Sequence, residues 1–308
     1  MARIKIAIVG LGKIARDQHI PAIAAGSDFE LIAVASPHHK ASGLPNYEDL
    51  PALLRAMPDV SAVALCTPPQ VRHEIARYAL QQGLHVLLEK PPGVTVSEVT
   101  ALAALAAQRR VTLFASWHSR HACGVEPARA WLRERTIRRI TVAWKEDVRV
   151  WHPGQTWIWR AGGLGVFDPG INALSILTHI VPAPLMLQSA ELSYPRNCST
   201  PIAAVLSMAG EPSLAVHADF DFLQTGPQTW SIDVATDSGR LELAMGGKEL
   251  TIDGGETQTS PNAEYPALYT HFAELIRSGR SDVDVAPLQL VADAFLCGRR
   301  REVEPFFE

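Results

Sequence analysis

Apolar and polar residues follow two different periodic patterns along this chain. Up to about residue 116, short apolar runs of strand length alternate with longer stretches in which apolar side chains recur with helical period. The strands predicted there are Ile4–Val9, Leu31–Ala35, Ala62–Cys66, His85–Leu88 and Val111–Ala115, and the helices between them are Lys13–Ala25, Tyr47–Met57, Val71–Gln82 and Val96–Arg109. Apolar strands separated by helices are typical of a parallel sheet covered on both faces. This part is therefore predicted to be a doubly wound α/β domain.

The pattern changes after about residue 118. One more helix, Ala122–Arg135, is predicted first, and much of the rest alternates apolar and polar residues between turns containing Gly or Pro. This predicts antiparallel strands at Arg139–Trp144, Ile202–Met208, Leu214–Phe220, Gln228–Ala235 and Arg240–Ala244, with helices at Ile171–His179, Ala263–Ser278 and Pro287–Gly298. We therefore expect two domains joined by a tight hinge: 1–118 with the parallel sheet, and 119–308 with an α+β fold built on a mostly antiparallel open sheet.

Composition restricts the functions open to such a chain. Of its 308 residues 47% are apolar and 19% charged, which allows a large buried core and excludes a disordered chain. Lys and Arg number 28 against 32 Asp and Glu, a net charge of −4, so no overall positive field attracts nucleic acid or anionic lipid. We expect neither nucleic acid nor a membrane as a partner.

The cysteines and the first residues bear on the cellular compartment. Cys66, Cys123, Cys198 and Cys297 are widely scattered and lack the short spacing of a zinc site, so no metal is predicted. The apolar run at the start of the chain is shorter than the core of a signal peptide or a membrane span. The sequence therefore predicts a cytoplasmic protein with reduced thiols.

A glycine motif follows the first predicted strand directly. Gly10-Leu-Gly12-Lys-Ile-Ala15 has the G-x-G-x-x-G/A arrangement and opens a helix. Gly10 would permit the tight turn, Gly12 would let the backbone approach a pyrophosphate at the positive helix end, and Ala15 would let helix pack on strand. Short glycine patterns also occur by chance, but here a strand precedes the motif and further βα units follow. The sequence therefore predicts a dinucleotide-binding domain of the Rossmann type.

The end of the second predicted strand bears on the choice of dinucleotide. NAD-specific domains place Asp or Glu there, on the ribose 2′-hydroxyl, whereas this chain has Ser36-Pro37-His38-His39-Lys40. No carboxylate would repel a 2′-phosphate, and a hydroxyl, two imidazoles and an ammonium are available to contact it. The alternative is a solvated polar loop without a ligand. Because the segment contains no arginine, we expect NADP to be preferred, through residues such as Ser36 and His38, and NAD to be tolerated.

Three polar residues are candidates for the chemistry. Glu89-Lys90-Pro91 ends the fourth predicted strand, at the carboxyl edge of the sheet where such folds bind ligands. Asp168 and Asn172 are four residues apart and so share one face of a helix. The alternatives are that Asp168, which precedes Pro169, caps that helix, and that Lys90 is an ordinary exposed lysine. A carboxylate near Lys90 would instead form an acid–base pair able to take a proton from a hydroxyl as hydride leaves the same carbon.

A tryptophan-rich segment comes shortly before Asp168. Residues 144–159 hold four of the seven tryptophans, together with Glu146 and His152. Tryptophan can cover the apolar face of a sugar while donating from its indole N–H, and Glu146 or His152 can hold sugar hydroxyls. Aromatic clusters form cores and subunit interfaces at least as often, so both interpretations stay open. His118, after the fifth predicted strand, is likewise either a ligand contact or a hinge histidine with internal partners.

Several of these motifs occur together in one known family. The start GLGKIARDQHIPAI, the motif LEKPPG, the stretch WKEDVRVWHPGQTWIWRAGGLGVFDPGINALSI and the tail SDVDVAPLQLVADAFL stand in this order. In this arrangement the whole chain resembles the glucose-fructose oxidoreductase/inositol dehydrogenase (Gfo/Idh/MocA) family, and within it the bacterial sugar dehydrogenases that act on L-arabinose or D-galactose at C1. The resemblance implies an NAD(P)-dependent oxidoreductase that converts the hemiacetal of a monosaccharide to a lactone.

The resemblance also implies roles for individual residues. Catalysis would fall on Lys90, Asp168 and Asn172, with either of the first two as the proton acceptor. Sugar contacts would come from His118, Glu146, Trp151 and Trp230, and cofactor contacts from Gly10, Gly12, Lys13, Ile14, Ser36, Thr67, Pro68, Glu89 and Lys90. Many relatives that act on inositol have histidine where this chain has Asn172, which favours an aldose. Some arabinose dehydrogenases have arginine where this chain has Pro37, which leaves the strength of an NADP preference open.

Other functions exist on the same fold, and fold alone does not establish chemistry. The family includes a non-enzymatic regulator that senses nucleotide, and dehydrogenases for other sugars or for non-sugar substrates. The presence of Lys90, Asp168 and Asn172 together favours an enzyme. The family also implies a homodimer formed through the C-terminal sheet.

Overall fold

The structure, a computed structural model, describes residues 2–211, 213–261 and 263–307. The chain forms two compact units, of which the first comprises Met1–His118 and Tyr265–Val285 and the second Ser119–Glu264 and Ala286–Glu308. In chain order the strands are β1 Ile4–Val9, β2 Phe29–Ala35, β3 Asn46–Tyr47, β4 Ala62–Leu65, β5 His85–Glu89, β6 Leu113–Ser116, β7 Ile137–Lys145, β8 Leu185–Pro195, β9 Ala203–Gly210, β10 Leu214–Asp221, β11 Thr229–Thr236, β12 Arg240–Ala244, β13 Glu249–Ile252, β14 Gln258–Thr259 and β15 Arg299–Val303. The α-helices are α1 Ile20–Ala25, α2 Leu50–Ala56, α3 Pro69–Gln81, α4 Val96–Arg109, α5 Val125–Leu132, α6 Val148–Trp151, α7 Phe167–Ile180, α8 Glu264–Ser278 and α9 Ala286–Cys297.

The sheet of the first unit is parallel, with the strand order β3-β2-β1-β4-β5-β6. This is the order of doubly wound dinucleotide-binding domains, in which the direction of winding reverses between the first and fourth strands. The reversal sets the carboxyl ends of β1 and β4 side by side, with Val9 paired to Leu65. The predicted parallel sheet is confirmed, and the sequence prediction lacks only the two-residue edge strand β3.

Both faces of this sheet bury a core, because alternate residues of a strand point to opposite faces. Ile6 and Ile8 of β1 belong to one hydrophobic cluster, and Ala7 and Val9 belong to the other. All four side chains are 0–5% exposed. Two buried faces explain why β4 is an unbroken apolar run and why β1 and β5 are mostly apolar.

Helix α8 completes the first of these two cores from a distant part of the chain. Leu268 and Phe272 are fully buried in the cluster that contains Ile6 and Ile8. The sequence predicts a single change of domain at residue 118, whereas the structure assigns Tyr265–Val285 to the first unit. The difference arises because the apolar face of α8 fills a core whose other members lie more than 130 residues earlier, which a local pattern does not reveal.

The helix that follows the glycine motif is widened in its middle. Residues 13–25 are helical as predicted, but Ala15–His19 form a π-helical turn, in which the N–H of Ile20 donates to the carbonyl of Ala15. The predicted helix Tyr47–Met57 is shorter, because Tyr47 pairs in β3 and the Asp49 side chain caps the helix that starts at Leu50. Helices α3 and α4 form where they are predicted.

The second unit is built on a nine-stranded sheet with the order β14-β13-β12-β11-β7-β10-β9-β8-β15. Its neighbours are antiparallel except for the parallel pairs β7–β10 and β8–β15. The predicted mostly antiparallel sheet is confirmed, and β8, β13, β14 and β15 are additional to the predicted strands. Helix α7 lies against β7 and β11 and packs on α5 and α9, so it is buried along nearly its whole length.

Three structural findings bear on partners and cofactors. In the described part of the chain, no helix is long and apolar enough to cross a bilayer. All four cysteines are free thiols. Within the described ranges, no group of three or more His, Cys, Asp or Glu side chains is arranged to hold a metal ion.

Candidate functional site

The glycine motif forms a turn that no other residue fits at its first position. Gly10 has φ +91°, and a Cβ atom built on it would lie 2.8 Å from the backbone nitrogen of Thr67 and 2.9 Å from the carbonyl carbon of Cys66. A side chain at Gly10 would therefore push apart the carboxyl ends of β1 and β4. At Gly12 the same construction meets nothing within 4 Å. The second glycine thus faces open space at the start of a helix, which is where a pyrophosphate would approach.

The residues around this turn fit a dinucleotide. The hydroxyl Oγ1 of Thr67 is buried without a hydrogen-bond partner, beside the turn, and could donate to a phosphate. Lys13, with 64% of its side chain exposed, forms an ion pair with Asp17, and Ile14 is half-buried. Pro68, on the loop after β4, is exposed. A pyrophosphate would fit the cradle around Gly10 and the buried hydroxyl, and its contacts there stay a prediction.

The loop after β2 is the predicted contact for the 2′ position of the ribose. Ser36 is half-buried and its backbone N–H donates to the carbonyl of Tyr47 at 2.9 Å, while His38 is exposed. The loop lies at the carboxyl edge of the sheet and carries no carboxylate between residues 36 and 40. The structure therefore leaves the side chain of His38 accessible to a ligand at this edge.

Arg72 is a residue of this edge that the sequence analysis missed. Its guanidinium is 3% exposed and donates to the carbonyls of Thr67, Glu89 and Pro91. One rigid side chain thus ties the loop after β4 to the loop after β5. Nothing in the local pattern marks Arg72, because an arginine in the first turns of a helix is ordinarily exposed.

Glu89 and Lys90 lie where β5 ends. Glu89 is 2% exposed; its Oε1 accepts from the hydroxyl of Tyr265 at 2.7 Å and lies 3.1 Å from Nε2 of His19, and its Oε2 accepts from the backbone N–H of Lys90 at 2.7 Å. Lys90 is half-buried, and its bond to Pro91 is cis. The carboxylate of Glu89 is thus engaged inside the protein, and its role as a cofactor contact stays a prediction.

The pKa values of Glu89 and His19 are strongly shifted by their surroundings. Burial alone would raise the pKa of Glu89, but the hydrogen bond and charge of His19, the charge of His118 and the hydroxyl of Tyr265 lower it to about 2. Burial alone would lower the pKa of His19, but Cys66, Tyr269 and Glu89 hold it well above its ordinary value. His19 and Glu89 are therefore a buried pair in which each partner favours the charged form of the other.

His118 belongs to the first unit. Its ring stacks on that of Tyr265, with centroids 5.2 Å apart, and its charge contributes to the low pKa of Glu89. Part of the alternative interpretation, a histidine with internal partners, is therefore observed. Its sugar contact stays a prediction.

The second unit brings four other predicted residues into one cluster, formed by Glu146, His152, Asp168 and Trp230. Glu146 is 2% exposed; its Oε2 accepts from the indole N–H of Trp230 at 2.8 Å, and its Oε1 lies 2.9 Å from Nε2 of His152. On its other side, Nδ1 of His152 lies 3.6 Å from Oδ2 of Asp168. A single imidazole therefore stands between two buried carboxylates.

Local structure explains how this cluster forms. Trp230 on β11 pairs with Trp144 on β7, and Glu146 follows Trp144 by two residues, so the side chains of Glu146 and Trp230 reach each other on the same face. Short helix α6 begins after Asp147, which accepts the N–H of Arg149, and its turn returns the chain so that His152 meets Glu146.

The tryptophans divide between the two interpretations of the sequence. Trp144 is 4% exposed and stacks on Trp230 at 6.0 Å, as a core residue would. Trp151 contacts Trp230 with centroids 4.7 Å apart, yet stays 41% exposed. Trp159 packs against Phe222 instead. Trp151 therefore combines contact with the cluster and an exposed ring.

Asp168 is not the cap of its helix. Helix α7 has Val166 at its N-cap and begins at Phe167, so Asp168 lies in the first helical turn, 3% exposed. Capping therefore does not explain the carboxylate, and a negative charge there is favoured by the helix dipole. Asn172 is half-buried one turn later on the same helix. Lys90 and Asp168 belong to different units, and the acid–base pair between them stays a prediction.

Comparison with known proteins identifies the family. The model of an oxidoreductase family with an NAD-binding Rossmann fold, GFO_IDH_MocA, matches residues 4–116. Galactose 1-dehydrogenase from Pseudomonas fluorescens is 47% identical over 309 residues, covering 100% of both chains. The chain belongs to the Gfo/Idh/MocA family of oxidoreductases. The resemblance seen in the sequence is thereby confirmed.

Two solved structures resemble this chain over nearly its full length. D-galactose-1-dehydrogenase from Rhizobium etli has a TM-score of 0.93 and 54% identity, covering 100% of this chain and 99% of that one. KijD10, a 3-ketoreductase from Actinomadura kijaniata in complex with NADP and TDP-benzene, has a TM-score of 0.86 at 20% identity, covering 98% and 100%. The second comparison shows the fold alone.

Proposed function

We propose that this Gfo/Idh/MocA oxidoreductase is an NAD(P)-dependent aldose 1-dehydrogenase that oxidises L-arabinose and D-galactose at C1. The observation that carries the proposal is the cluster in which Glu146 is hydrogen-bonded to His152 and Trp230 while Asp168 lies 3.6 Å from His152, in a chain that matches two galactose 1-dehydrogenases from end to end. Buried carboxylates beside indole rings are the groups that bind sugar hydroxyls and sugar faces.

The sugar contacts follow from the cluster. The exposed ring of Trp151 can cover an apolar face of a pyranose. Glu146 accepts a hydrogen bond from the indole N–H of Trp230, and its carboxylate has further lone pairs that can accept from sugar hydroxyls. His152 and His118 are proposed to hold further hydroxyls. L-Arabinose and D-galactose share their configuration from C2 to C4 and differ at C5, so one pocket would accept both.

The reaction removes a hydride and a proton from the same C–O–H group. When bound, NAD(P)+ supplies the acceptor for the hydride on C1. Lys90 or Asp168 takes the proton of the C1 hydroxyl, so that its oxygen forms the carbonyl of a lactone. Asn172 orients the sugar from the helical turn after Asp168. Arg72 and Gly10 keep the loops after β1, β4 and β5 in register, which fixes the position from which Lys90 acts.

The preferred cofactor is proposed to be NADP, with NAD tolerated. Support comes from the loop after β2, where no carboxylate would oppose a 2′-phosphate and where Ser36 and the exposed His38 could contact it. The absence of an arginine in residues 36–40 limits the expected preference.

The test is the initial rate of NADP+ and NAD+ reduction with L-arabinose, D-galactose, D-xylose, D-glucose and myo-inositol. We expect turnover of the first two, little of D-glucose, and a higher kcat/KM with NADP+ than with NAD+. Tight nucleotide binding without turnover of any aldose would contradict the proposal and favour a nucleotide-sensing regulator. If the protein turned over only another sugar, the proposed substrate would be wrong, but the proposed oxidation at C1 would stand.

We also propose that the chain forms a homodimer through the open face of the nine-stranded sheet. Exposed Val205 on β9 and Met186 on β8 lie on this face, together with Ala209. Apolar side chains there would be covered by a second copy. Light scattering of the eluted protein should give twice the chain mass, and Val205→Glu should give the chain mass.

A further inference from the structure

A buried group of four side chains in the first unit has no part in the mechanism above. We call it the Glu89 cluster, and its members are His19, Glu89, Tyr265 and Tyr269, all 0–4% exposed. Oε1 of Glu89 accepts from the hydroxyl of Tyr265 at 2.7 Å and lies 3.1 Å from Nε2 of His19, whose Nδ1 lies 2.8 Å from the hydroxyl of Tyr269. The cluster is thus a continuous hydrogen-bonded chain of polar groups within a hydrophobic core.

Two unusual local features bring the cluster together. His19 ends the π-helical turn that starts at Ala15, and the wider turn carries its ring to full burial on the core side. Such turns are rare and often lie at functional sites. Tyr265 and Tyr269 stand four residues apart on α8 and so share one face, where both rings meet the ring of His19 edge-on, at 5.0 and 5.8 Å.

The geometry fits a charged His19. Both ring nitrogens have an oxygen within hydrogen-bond distance, so a doubly protonated ring donates from Nε2 to Glu89 and from Nδ1 to Tyr269. The other titratable groups that face the pair are Cys66, Tyr265 and His118. Removing either partner of a buried ion pair leaves the other charge without compensation, which is costly.

The cluster ends at Lys90. Oε1 of Glu89 contacts Nε2 of His19 and the hydroxyl of Tyr265, and its Oε2 accepts a hydrogen bond from the backbone N–H of Lys90 at 2.7 Å. An ionised carboxylate accepts at both oxygens, whereas a protonated one has to donate from one of them. The ionised form of Glu89 is therefore the one that can accept from Tyr265, His19 and the N–H of Lys90 together.

We propose that His19 is a positioning residue, whose imidazolium keeps Glu89 ionised so that Glu89 holds the main chain of Lys90 in the orientation needed for sugar oxidation. This inference rests on the proposed function. His19 touches neither the sugar nor the cofactor in this scheme, and acts through Glu89 alone. The π-helical turn would then be the local feature that places the charged ring of His19 next to Glu89, at the end of β5.

The test compares kcat and KM of the full-length wild type, His19→Gln and Glu89→Gln between about pH 5 and 9. Without the imidazolium, burial raises the pKa of Glu89, so His19→Gln should lose kcat as pH falls and recover it as pH rises. At the acid end we expect a kcat about 10- to 100-fold below wild type, with KM for the sugar changed less than about threefold. Glu89→Gln should have a low kcat without this additional pH dependence.

A matched control is available in the same unit. Nε2 of His271 lies 3.1 Å from Oδ2 of Asp282 in a second histidine–carboxylate pair, which is more exposed. His271→Gln should retain the wild-type kcat and pH profile. A similar loss in this control would show that any histidine–carboxylate pair of the unit matters in the same way, and would overturn the specific role of His19.

Other outcomes decide against the inference directly. A His19→Gln profile equal to wild type, or lowered by the same factor at every pH, would reduce His19 to a structural residue. If His19→Gln does not fold, Tyr269→Phe, which leaves Nδ1 of His19 without its acceptor, should shift the profile in the same direction; an unchanged profile would overturn the proposal. Failure of the proposed function is distinguished beforehand, because the wild type itself would then reduce no NAD(P)+ with any aldose.

Discussion

Alanine at Gly10 and at Gly12 should affect different properties of the protein, although the two residues lie in one turn. At Gly10 the backbone has φ +91°, which costs an alanine roughly 1–3 kcal/mol. The added Cβ would also lie 2.8 Å from the backbone nitrogen of Thr67, and overpacking of this kind costs roughly another 1–3 kcal/mol. At Gly12 the Cβ meets nothing within 4 Å, so we expect little change in stability.

The two variants should therefore separate in thermal unfolding and in cofactor kinetics. At about 2–4 °C per kcal/mol, Gly10→Ala should lower Tm by roughly 4–24 °C. Gly12→Ala should keep Tm within about 2 °C but raise KM for NAD(P)+ about 10- to 100-fold, because one lost charge-assisted hydrogen bond to a phosphate is worth roughly 1.5–3 kcal/mol. Differential scanning calorimetry and steady-state kinetics measure both effects.

Two results would refute this reasoning. If Gly12→Ala is as unstable as Gly10→Ala, the space beside Gly12 is not open. If Gly12→Ala binds NAD(P)+ as tightly as wild type, the pyrophosphate does not lie against this residue. Gly43→Ala is the matched control for backbone strain, since Gly43 has φ +75° with nothing within 4 Å of its Cβ, and it should lower Tm less than Gly10→Ala does.

Three further predictions concern the chemistry, the tryptophans and pH. Asp168→Ala should lower kcat by about 10²–10⁴-fold and leave the Kd for NADP, measured by fluorescence, nearly unchanged; unchanged turnover would exclude the acid–base role. Trp151→Ala should raise KM for the sugar at a nearly constant Tm, whereas Trp144→Ala, which empties a buried position, should cost about 3–5 kcal/mol in urea unfolding. Equal losses of stability would contradict the assignment of Trp151 to the ligand. Because folding lowers the pKa of Glu89 from 4.5 to about 2, its contribution to stability is present above the unfolded pKa and is lost as pH falls across that interval. Acid titration of wild type and Glu89→Gln should show a shallower decline for the variant.

The sequence predicts the elements of the first unit well because its strands are buried on both faces. Strand β1 and helix α4 have the predicted bounds, and α4 is marked by a capping box of Thr95 and Glu98 that a sequence pattern can detect. Local signals of this kind depend on residues only a few positions apart. The glycine motif is predictable for the same reason.

Two of the strands missing from the prediction, β8 and β15, lack a regular alternating pattern. Strand β8 contains a register shift between Leu187 and Ser189, so the side chains on either side of it change face out of phase. Strand β15 has the sequence Arg-Arg-Arg-Glu-Val and lies at the edge of the sheet, where charged residues are common. Neither strand has the period of two that identifies a half-buried strand.

In the candidate site, too, local sequence patterns identify some residues and not others. Asp168, Lys90 and Glu146 follow motifs and could be named from the sequence. Tyr265 meets Glu89 across 176 residues, and Arg72 meets carbonyl groups up to 19 residues away through a buried guanidinium. Contacts between such distant positions depend on the packing of α8 and α3, which no local period reports.

The late return of α8 to the first core has a consequence for the order of events on the ribosome. The core around Ile6, Ile8 and Phe29 contains side chains from residues 265–275, which are translated only after residues 119–264. During synthesis, the part of the first unit that is already translated therefore exposes the apolar surface that α8 later covers, while residues 119–264 are still being made. A chaperone that recognises exposed apolar segments would find its binding surface there, and the wait ends only when α8 leaves the exit tunnel.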